Sequence, residues 1–394
     1  MKITALAAHT PEAVRAALAA RGWETQPAWF AATGIQPLVI LIEDLTEDER
    51  EALVHWGTKS GADVLTGAQG LGAGAWALVA GAASRIAPLA RYDRAPQELA
   101  RLAPDLGKVL AGRAEPPRAW AIKGAELSLE KPVIIGIINV TPDSFSDGGQ
   151  LGSVEAAIEH GARLAAHGAR LLDVGGESTR PSAAPIPVQL EISRVIPVIA
   201  GLVKRGHGPI SVDTRKAEVA RAALDAGAVV VNDVSALQFD RELAQVVQET
   251  QAGIILMHMR GAPATMDDLA TYHHVAAEVA GELGDLAAKA ERAGIARERI
   301  VLDPGFGFAK TASQNLRLLD ELATIVAVGY PVAVGPSRKR FLGAVTGRPV
   351  EDRDRATAVA CAFAWERGAR LFRVHDVALT VEALTLASAT TKQT

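Results

Sequence analysis

Residues 210–233, ISVDTRKAEVARAALDAGAVVVND, decide the fold. The run 210–213 is short and β-branched and ends in Asp213, and 229–233 repeats that design with Asn232 and Asp233 at its end. Between them, 216–226 spaces its apolar residues near the helical period of about 3.6. Strands apolar on both faces and joined through a helix belong to a parallel sheet covered by helices. The same plan recurs, with runs at 133–139, 171–174, 254–259, 300–303, 332–335 and 371–374 and helical stretches such as 154–167 between runs. Eight such units within 133–394 match a (β/α)8 TIM barrel, ordinarily about 250 residues long. A doubly wound open sheet is the competing arrangement.

Outward from that repeat, the chain has 394 residues, 49% of them hydrophobic, with 41 basic against 45 acidic side chains. A net charge of −4 excludes a polybasic nucleic-acid binder and an acidic tail protein, so no nucleic-acid partner is expected. No apolar run reaches the roughly 18–20 residues of a spanning helix, and the start MKITALAAHTPEAV lacks a signal-peptide core. We therefore expect no membrane association and a cytoplasmic protein. Cys361 is the single cysteine, which leaves no disulfide framework and no cysteine-based metal site.

Five of the six tryptophans precede residue 121, a shift that marks a separately built module over 1–115 ahead of a barrel over 116–394. The first module reads as small α/β. Thr10-Pro11-Glu12 opens a helix, 37–42 (PLVILI) is a buried-strand pattern, and Thr46 with Glu49 makes a capping box. A second apolar piece covers 62–65, and 97–112 has helical spacing. Gly and Pro between 111 and 132 suit a linker and a short hairpin. Gly72-Ala-Gly74-Ala-Trp-Ala77 with Asp93 fits a loose dinucleotide fingerprint, a spacing that arises easily in a Gly/Ala-rich chain. The role of this extension (docking surface, dimerisation element or second small-molecule site) is left open by its residues. Neither a P-loop nor a nucleophile elbow is present, and His160, His167, His207, His273 and His274 lack metal-ligand spacing and read as surface or helix residues.

The strand tips carry the chemistry. The first runs into Asn139, Thr141, Asp143, Ser146 and Asp147, and the second into Asp173, Glu177, Thr179 and Arg180. Asp213, Asn232, Asp233, His258, Arg260, Asp303, Lys310, Ser337, Arg338, Lys339, Arg373 and His375 follow on the others. In a barrel all of these fall on the C-terminal face, where active sites lie. Asp213, Asn232 and Asp303 make a row of acceptors plus an amide donor, which suits a flat heterocycle rich in N–H groups. Buried carboxylates need such a partner. Alternatively, Asp213 caps the helix that follows it. Lys339 and Arg373 supply cations, and a guanidinium can also stack on a ring. Asn139 and Asp147 are hard oxygen donors suited to Mg²⁺ beside phosphate oxygens, although Ser146-Asp147-Gly148-Gly149 reads equally as a turn. Ser178-Thr179-Arg180-Pro181 either binds an anion or ends a strand.

Eight motifs, in order, carry a family resemblance: GIINVTPDSFSDGG (136–149), LLDVGGESTRP (171–181), ISVDTRK (210–216), VVNDVSAL (230–237), ILMHMRGAPATM (255–266), LDPGFGFAKT (302–311), GPSRKRFLG (335–343) and FRVHDV (372–377). Together they resemble dihydropteroate synthase from about residue 118 onward. The resemblance implies a (β/α)8 barrel, often homodimeric, that joins 6-hydroxymethyl-7,8-dihydropterin diphosphate to 4-aminobenzoate, giving 7,8-dihydropteroate and pyrophosphate in folate biosynthesis. It assigns the pterin to Asp213, Asn232, Asp303, Lys339 and Arg373. The diphosphate falls to Asn139, Thr179, Arg180, Arg373 and His375, with Mg²⁺ at Asn139 and Asp147. Phe145, Thr179, Pro181, Phe308 and Lys339 form the aminobenzoate pocket. Asp213, Asp303, Lys339 and Arg180 are the expected catalytic residues, acting on charge that develops as pyrophosphate departs before the aryl amine attacks. Ala309, Pro336 and Arg215 depart from the family pattern, and Arg340 could add charge near the aminobenzoate carboxylate. The rivals are a pterin-binding methyltransferase and a catalytically silent paralogue.

Overall fold

The computed structural model describes residues 2–6, 38–67, 75–81, 86–90, 97–107, 117–140, 153–178, 185–261 and 265–391. The expected helix start at Thr10-Pro11-Glu12, most of the glycine-rich stretch before Ala75, and Phe145, Asp147, Thr179, Arg180 and Pro181 lie outside them. Two compact units result. One comprises Met1–Pro116 with Tyr272–Gly281 and Glu321–Gly329, and the other Pro117–Thr271, Glu282–Asp320 and Tyr330–Thr394.

The first unit holds an antiparallel sheet of β1 (Lys2–Leu6), β2 (Leu38–Leu45), β3 (Asp63–Gly67) and β4 (Ala75–Gly81) in the order β1-β2-β4-β3. The apolar 37–42 run falls in β2, one of its two inner strands, with Ile40 and Ile42 fully buried. Thr46 and Glu49 form the expected capping box on the helix Glu47–Ser60, the Thr46 hydroxyl accepting from the Glu49 N–H at 3.3 Å. Glu49 is also gripped by Arg101 Nε at 2.6 Å, which ties the helix start to a distant turn. Helical spacing over 97–112 appears as a 3-10 turn, Gln97–Leu99, and a helix from 103 up to the last described residue there, 107.

The second unit opens with a hairpin, β5 (Ala119–Ile122) and β6 (Ala125–Ser128), whose turn uses Gly124 at φ 74°. Eight parallel strands follow: β7 (Val133–Asn139), β8 (Leu171–Gly175), β9 (Ile210–Asp213), β10 (Val230–Asp233), β11 (Gly253–Met257), β12 (Ile300–Asp303), β13 (Ala333–Val334) and β14 (Leu371–Val374). Their order is β12-β11-β10-β9-β8-β7-β14-β13. A parallel bridge from Leu302 to Val332 and the Leu302 N–H to Pro331 carbonyl bond (2.9 Å) join the two ends, so the sheet closes into a barrel and is not an open doubly wound sheet. The quoted 210–233 segment is one β-α-β turn of it. Its helix Ala217–Asp225 buries Val219, Ala220, Ala223 and Leu224 on one face.

Two layers inside the barrel set up the site. Val133, Ile135, Leu171, Val230, Ile255, Val301, Ala333 and Leu371 share an apolar cluster with Trp120, Ile122, Leu127 and Leu129 of the hairpin region, which plugs the N-terminal end. Trp120 is fully buried and donates its indole N–H to the Arg299 carbonyl at 2.8 Å. Because strand side chains alternate, the next inward position lies two residues further on. There Leu171 gives way to Asp173, Val230 to Asn232, Val301 to Asp303 and Leu371 to Arg373.

Candidate active site

These second-layer residues meet above the plug. Asp173 is the hub. Its Oδ2 accepts from Arg373 Nε at 2.6 Å and from Asn232 Nδ2 at 3.0 Å, and its Oδ1 accepts from the Ser211 hydroxyl. Arg373 reaches on through Nη2 to Asp213 Oδ2 at 2.7 Å. With its Nδ2 held by Asp173, the Asn232 amide is fixed in orientation. Gly175 leaves room beside Asp213, since a Cβ there would sit 3.3 Å from the Asp213 Cβ and press on it.

Asp303 lies on the opposite side, where its Oδ1 accepts from the Gly305 N–H at 2.7 Å. Lys339 places its ammonium 3.9 Å from the centre of the buried Phe308 ring. Ser337 Oγ is 2.9 Å from His375 Nδ1 and also accepts from the His375 main-chain N–H at 3.2 Å. Arg338 instead turns away into a bidentate pair with Asp354, at 2.8 and 2.7 Å, which pins the turn before Lys339 to the helix Asp354–Glu366.

Enclosure shows in the ionisation. Burial pushes Asp213 up to about 7 against the opposing pull of Arg373. Burial likewise raises Asp303 to about 6. Lys339 is lowered to about 8 by burial, with Arg373 adding to the effect. Arg373 keeps its charge: burial opposes it, yet Asp173 and Asp213 hold its pKa above that of a free guanidinium. Carboxylates poised this close to neutrality mark a functional pocket.

The structure thus brings together Asp213, Asn232, Asp303, Lys339, Arg373 and Phe308, with His375 and half-buried Asn139 at adjoining strand ends. Asp213 does not cap the next helix; the Ala217 N–H is taken by Asp240 Oδ2 at 2.8 Å. Arg373 was expected against ligand, and here it is paired with Asp173 and Asp213 inside the acceptor row. Asp173, noted from sequence as a polar strand residue without a role, is the residue most bonded within the row. Its place two positions past the inward Leu171 is the signal that could have found it. A second unassigned group is Lys216, which donates to Glu177, to Glu191 Oε2 at 2.6 Å and to the Ile186 carbonyl at 2.7 Å. Arg215, one of the departures, adds a 2.7 Å bond to the same Glu177. Both carboxylates lie far from Lys216 in sequence, which is why no local motif exposed them. His274, expected at the surface or on a helix, is buried and caps the helix Val275–Arg292, its Nδ1 accepting from the Ala277 N–H at 3.2 Å.

Comparison with known proteins agrees with this geometry. The model of the pterin binding enzyme family matches residues 135–375. A dihydropteroate synthase of Escherichia coli is 42% identical over 268 residues, covering 68% of this chain and 95% of its own. One from Synechocystis is 43% identical over 249 residues, or 63% of this chain and 86% of that protein. Among solved structures, Xanthomonas albilineans dihydropteroate synthase with 4-aminobenzoic acid superposes with a TM-score of 0.65 at 48% identity, covering 70% of this chain and 98% of that one. The same organism's enzyme in complex with 7,8-dihydropteroate gives 0.63 at 45% identity over 69% and 98% of the two chains. With matching that spans most of the barrel and nearly all of each relative, the chain belongs to the pterin-binding enzyme family, among the dihydropteroate synthases.

Proposed function

We propose that the chain condenses 6-hydroxymethyl-7,8-dihydropterin diphosphate with 4-aminobenzoate, releasing 7,8-dihydropteroate and pyrophosphate. One observation carries this reading: the acceptors Asp213, Asn232 and Asp303 meet above the plug with the cations Lys339 and Arg373. The pterin ring lies against that acceptor row, with Arg373 moving from Asp213 to the ring and the diphosphate. The diphosphate is held by Asn139, Thr179, Arg180, Arg373 and His375. Phe308, Lys339, Phe145, Thr179 and Pro181 form the aminobenzoate pocket.

Chemistry follows from charge. As the C–O bond to the diphosphate breaks, positive charge spreads into the pterin, and Asp213 and Asp303 face it. Arg180, Arg373 and His375 face the negative charge on the leaving group. The lone pair of the aryl amine then forms the C–N bond at the exocyclic carbon, and the ammonium proton passes to the departing pyrophosphate. Fixed charges placed where charge develops are commonly the largest catalytic contribution, on the order of 3–4 kcal/mol for each donor.

Asn139 ends β7 half-buried, and its amide oxygen is a hard donor. A Mg²⁺ ion is usually held by few side chains together with substrate phosphates and water. Asn139 with Asp147 would hold Mg²⁺, which supplies charge neutralisation on the diphosphate when bound.

An apolar groove lined by Leu316, Phe341, Val345, Val359 and Phe363, all but Phe341 exposed, supports a homodimer formed through that face. Val359→Asp should give a monomer in sedimentation, and an unchanged species would remove this face from the interface. No described helix is long and apolar enough to cross a membrane; a cytoplasmic location remains part of the proposal.

The decisive measurement is pyrophosphate release from the pterin diphosphate with and without 4-aminobenzoate. Release only with both substrates is expected. Binding without release would indicate the silent paralogue, and methyl transfer from a folate donor would indicate the methyltransferase.

A further inference from the structure

Lys310 is buried just past the β12 turn, and no role above uses it. Its ammonium meets three acceptors: His258 Nδ1 at 3.0 Å, the Phe308 carbonyl at 3.0 Å and the Gly305 carbonyl at 3.2 Å. An ammonium has three protons and no lone pair, so these acceptors use all of its donors. While Lys310 is an ammonium, His258 Nδ1 accepts and the ring proton sits on Nε2. That nitrogen lies 2.9 Å from Glu282 Oε2, and the same carboxylate is gripped by the Arg260 fork. A line of polarised bonds thus runs from Glu282 through His258 to Lys310.

What Lys310 holds is the wall between two of the assigned pockets. Gly305 (φ 68°), Gly307 (φ 80°) and Ala309 (φ 48°) all lie in the left-handed region, and within the turn the Phe308 N–H donates to the Gly305 carbonyl at 3.1 Å. A Cβ on Gly305 would fall 2.1 Å from the His258 carbonyl oxygen, so the turn presses directly on the β11 tail. This turn carries Phe308 under the Lys339 ammonium, and its Gly305 N–H fixes Asp303. Asn315 braces the outer side, its Oδ1 accepting from the Gly307 N–H at 2.7 Å.

We propose that Lys310 is a positioning residue for this reaction: as a triple donor backed by His258 and Glu282, it sets the turn that aims Phe308 at the aminobenzoate and Asp303 at the pterin. The proposal rests on the functional reading above. The charged groups facing Lys310 are Asp303 on β12, Glu282 on the helix Val275–Arg292, Arg260 beyond β11 and Lys339 before the helix Arg340–Thr346. Burial lowers Lys310 to about 7, Asp303 and Glu282 oppose that, and Arg260 and Lys339 add to it. Above that pH the third proton is lost and the turn loosens.

The test pairs a direct variant with a remote one. Lys310→Met should lower kcat/KM for 4-aminobenzoate by roughly 10–100-fold, the range for a lost charged hydrogen bond. Lys310→Arg should restore only part of it. Glu282→Gln removes the supporting anion outside the pocket and should move the alkaline limb of the pH profile to lower pH while sparing low-pH turnover. If Lys310→Met does not fold, Glu282→Gln alone decides. An unmoved alkaline limb in Glu282→Gln, or near-wild-type kcat/KM in a folded Lys310→Met, overturns the proposal. Wild-type protein without turnover would sink the functional reading instead. The proposal would then be judged by the fluorine resonance of labelled Phe308, which should titrate with pH and shift in Glu282→Gln; a resonance indifferent to both overturns it.

Discussion

The two ends of the barrel are built from the same eight strands and do opposite things. At the N-terminal end the inward side chains are Val, Ile, Leu and Ala, sealed by Trp120. Two residues further along, the inward positions carry Asp173, Asn232, Asp303 and Arg373; Asp173 accepts from both Arg373 and Asn232, and burial raises Asp303 to about 6. The apolar end gains stability by excluding water. The polar end gives stability up, because buried carboxylates near neutrality cost free energy until a ligand pairs with them. A step of one alternation therefore separates the part that folds the protein from the part that works.

The contrast is most directly broken at the plug. Trp120→Ala should cost about 3–5 kcal/mol of stability through the cavity it leaves and the unpaired Arg299 carbonyl, read from urea unfolding. Turnover per folded molecule should stay within about twofold, since distant sites add independently. At the other end, Asp213→Asn should lower kcat on the order of 100–1,000-fold, as measured by pyrophosphate release, with much smaller loss of diphosphate affinity. Its melting temperature should hold or rise.

A pH series sharpens the same division. Asp213 and Asp303 bind protons more tightly folded than unfolded, with values raised to about 7 and about 6. Their contribution to stability is present at low pH and is lost as pH rises from about 4 through those values. Melting of the ligand-free protein should fall between pH 5 and 8 by an amount that Asp213→Asn reduces, whereas turnover should rise from pH 5 as the carboxylates ionise, until the alkaline limb set by Lys310 at about 7. The smallest effect belongs to the turn. Ala309 at φ 48° bears left-handed strain. Ala309→Gly should relieve that strain by up to about 1 kcal/mol, offset in part by the greater freedom of the unfolded chain, and thermal melting reads the balance.

Much of the barrel was legible because each strand is a local signal. β7, β9, β12 and β14 match their sequence runs residue for residue, whereas the 332–335 run forms only the two-residue β13, since Gly335 and Pro336 already turn toward Ser337. The 254–259 run stops as β11 at Met257; the His258 N–H still bonds the Asp303 carbonyl at 2.8 Å, and its side chain meets Lys310 and Glu282. Site residues at strand tips were legible for the same reason: polar atoms ending an apolar run need a purpose. The partners were not. Arg373 lies 200 residues from Asp173 and Lys216 lies 25 from Glu191, and no periodicity links such pairs.

What the chain by itself determined is the number of β-α units, the direction of the sheet and the face on which chemistry collects, because alternation and helical period are properties of neighbours in sequence. Tertiary structure alone decided which polar groups pair: Arg373 across Asp173 and Asp213, Lys310 under Phe308, Asp240 at the helix that Asp213 was free to cap. The reason is electrostatic. A buried charge takes whichever partner closure of the barrel brings within about 3 Å, and sequence separation does not enter that distance.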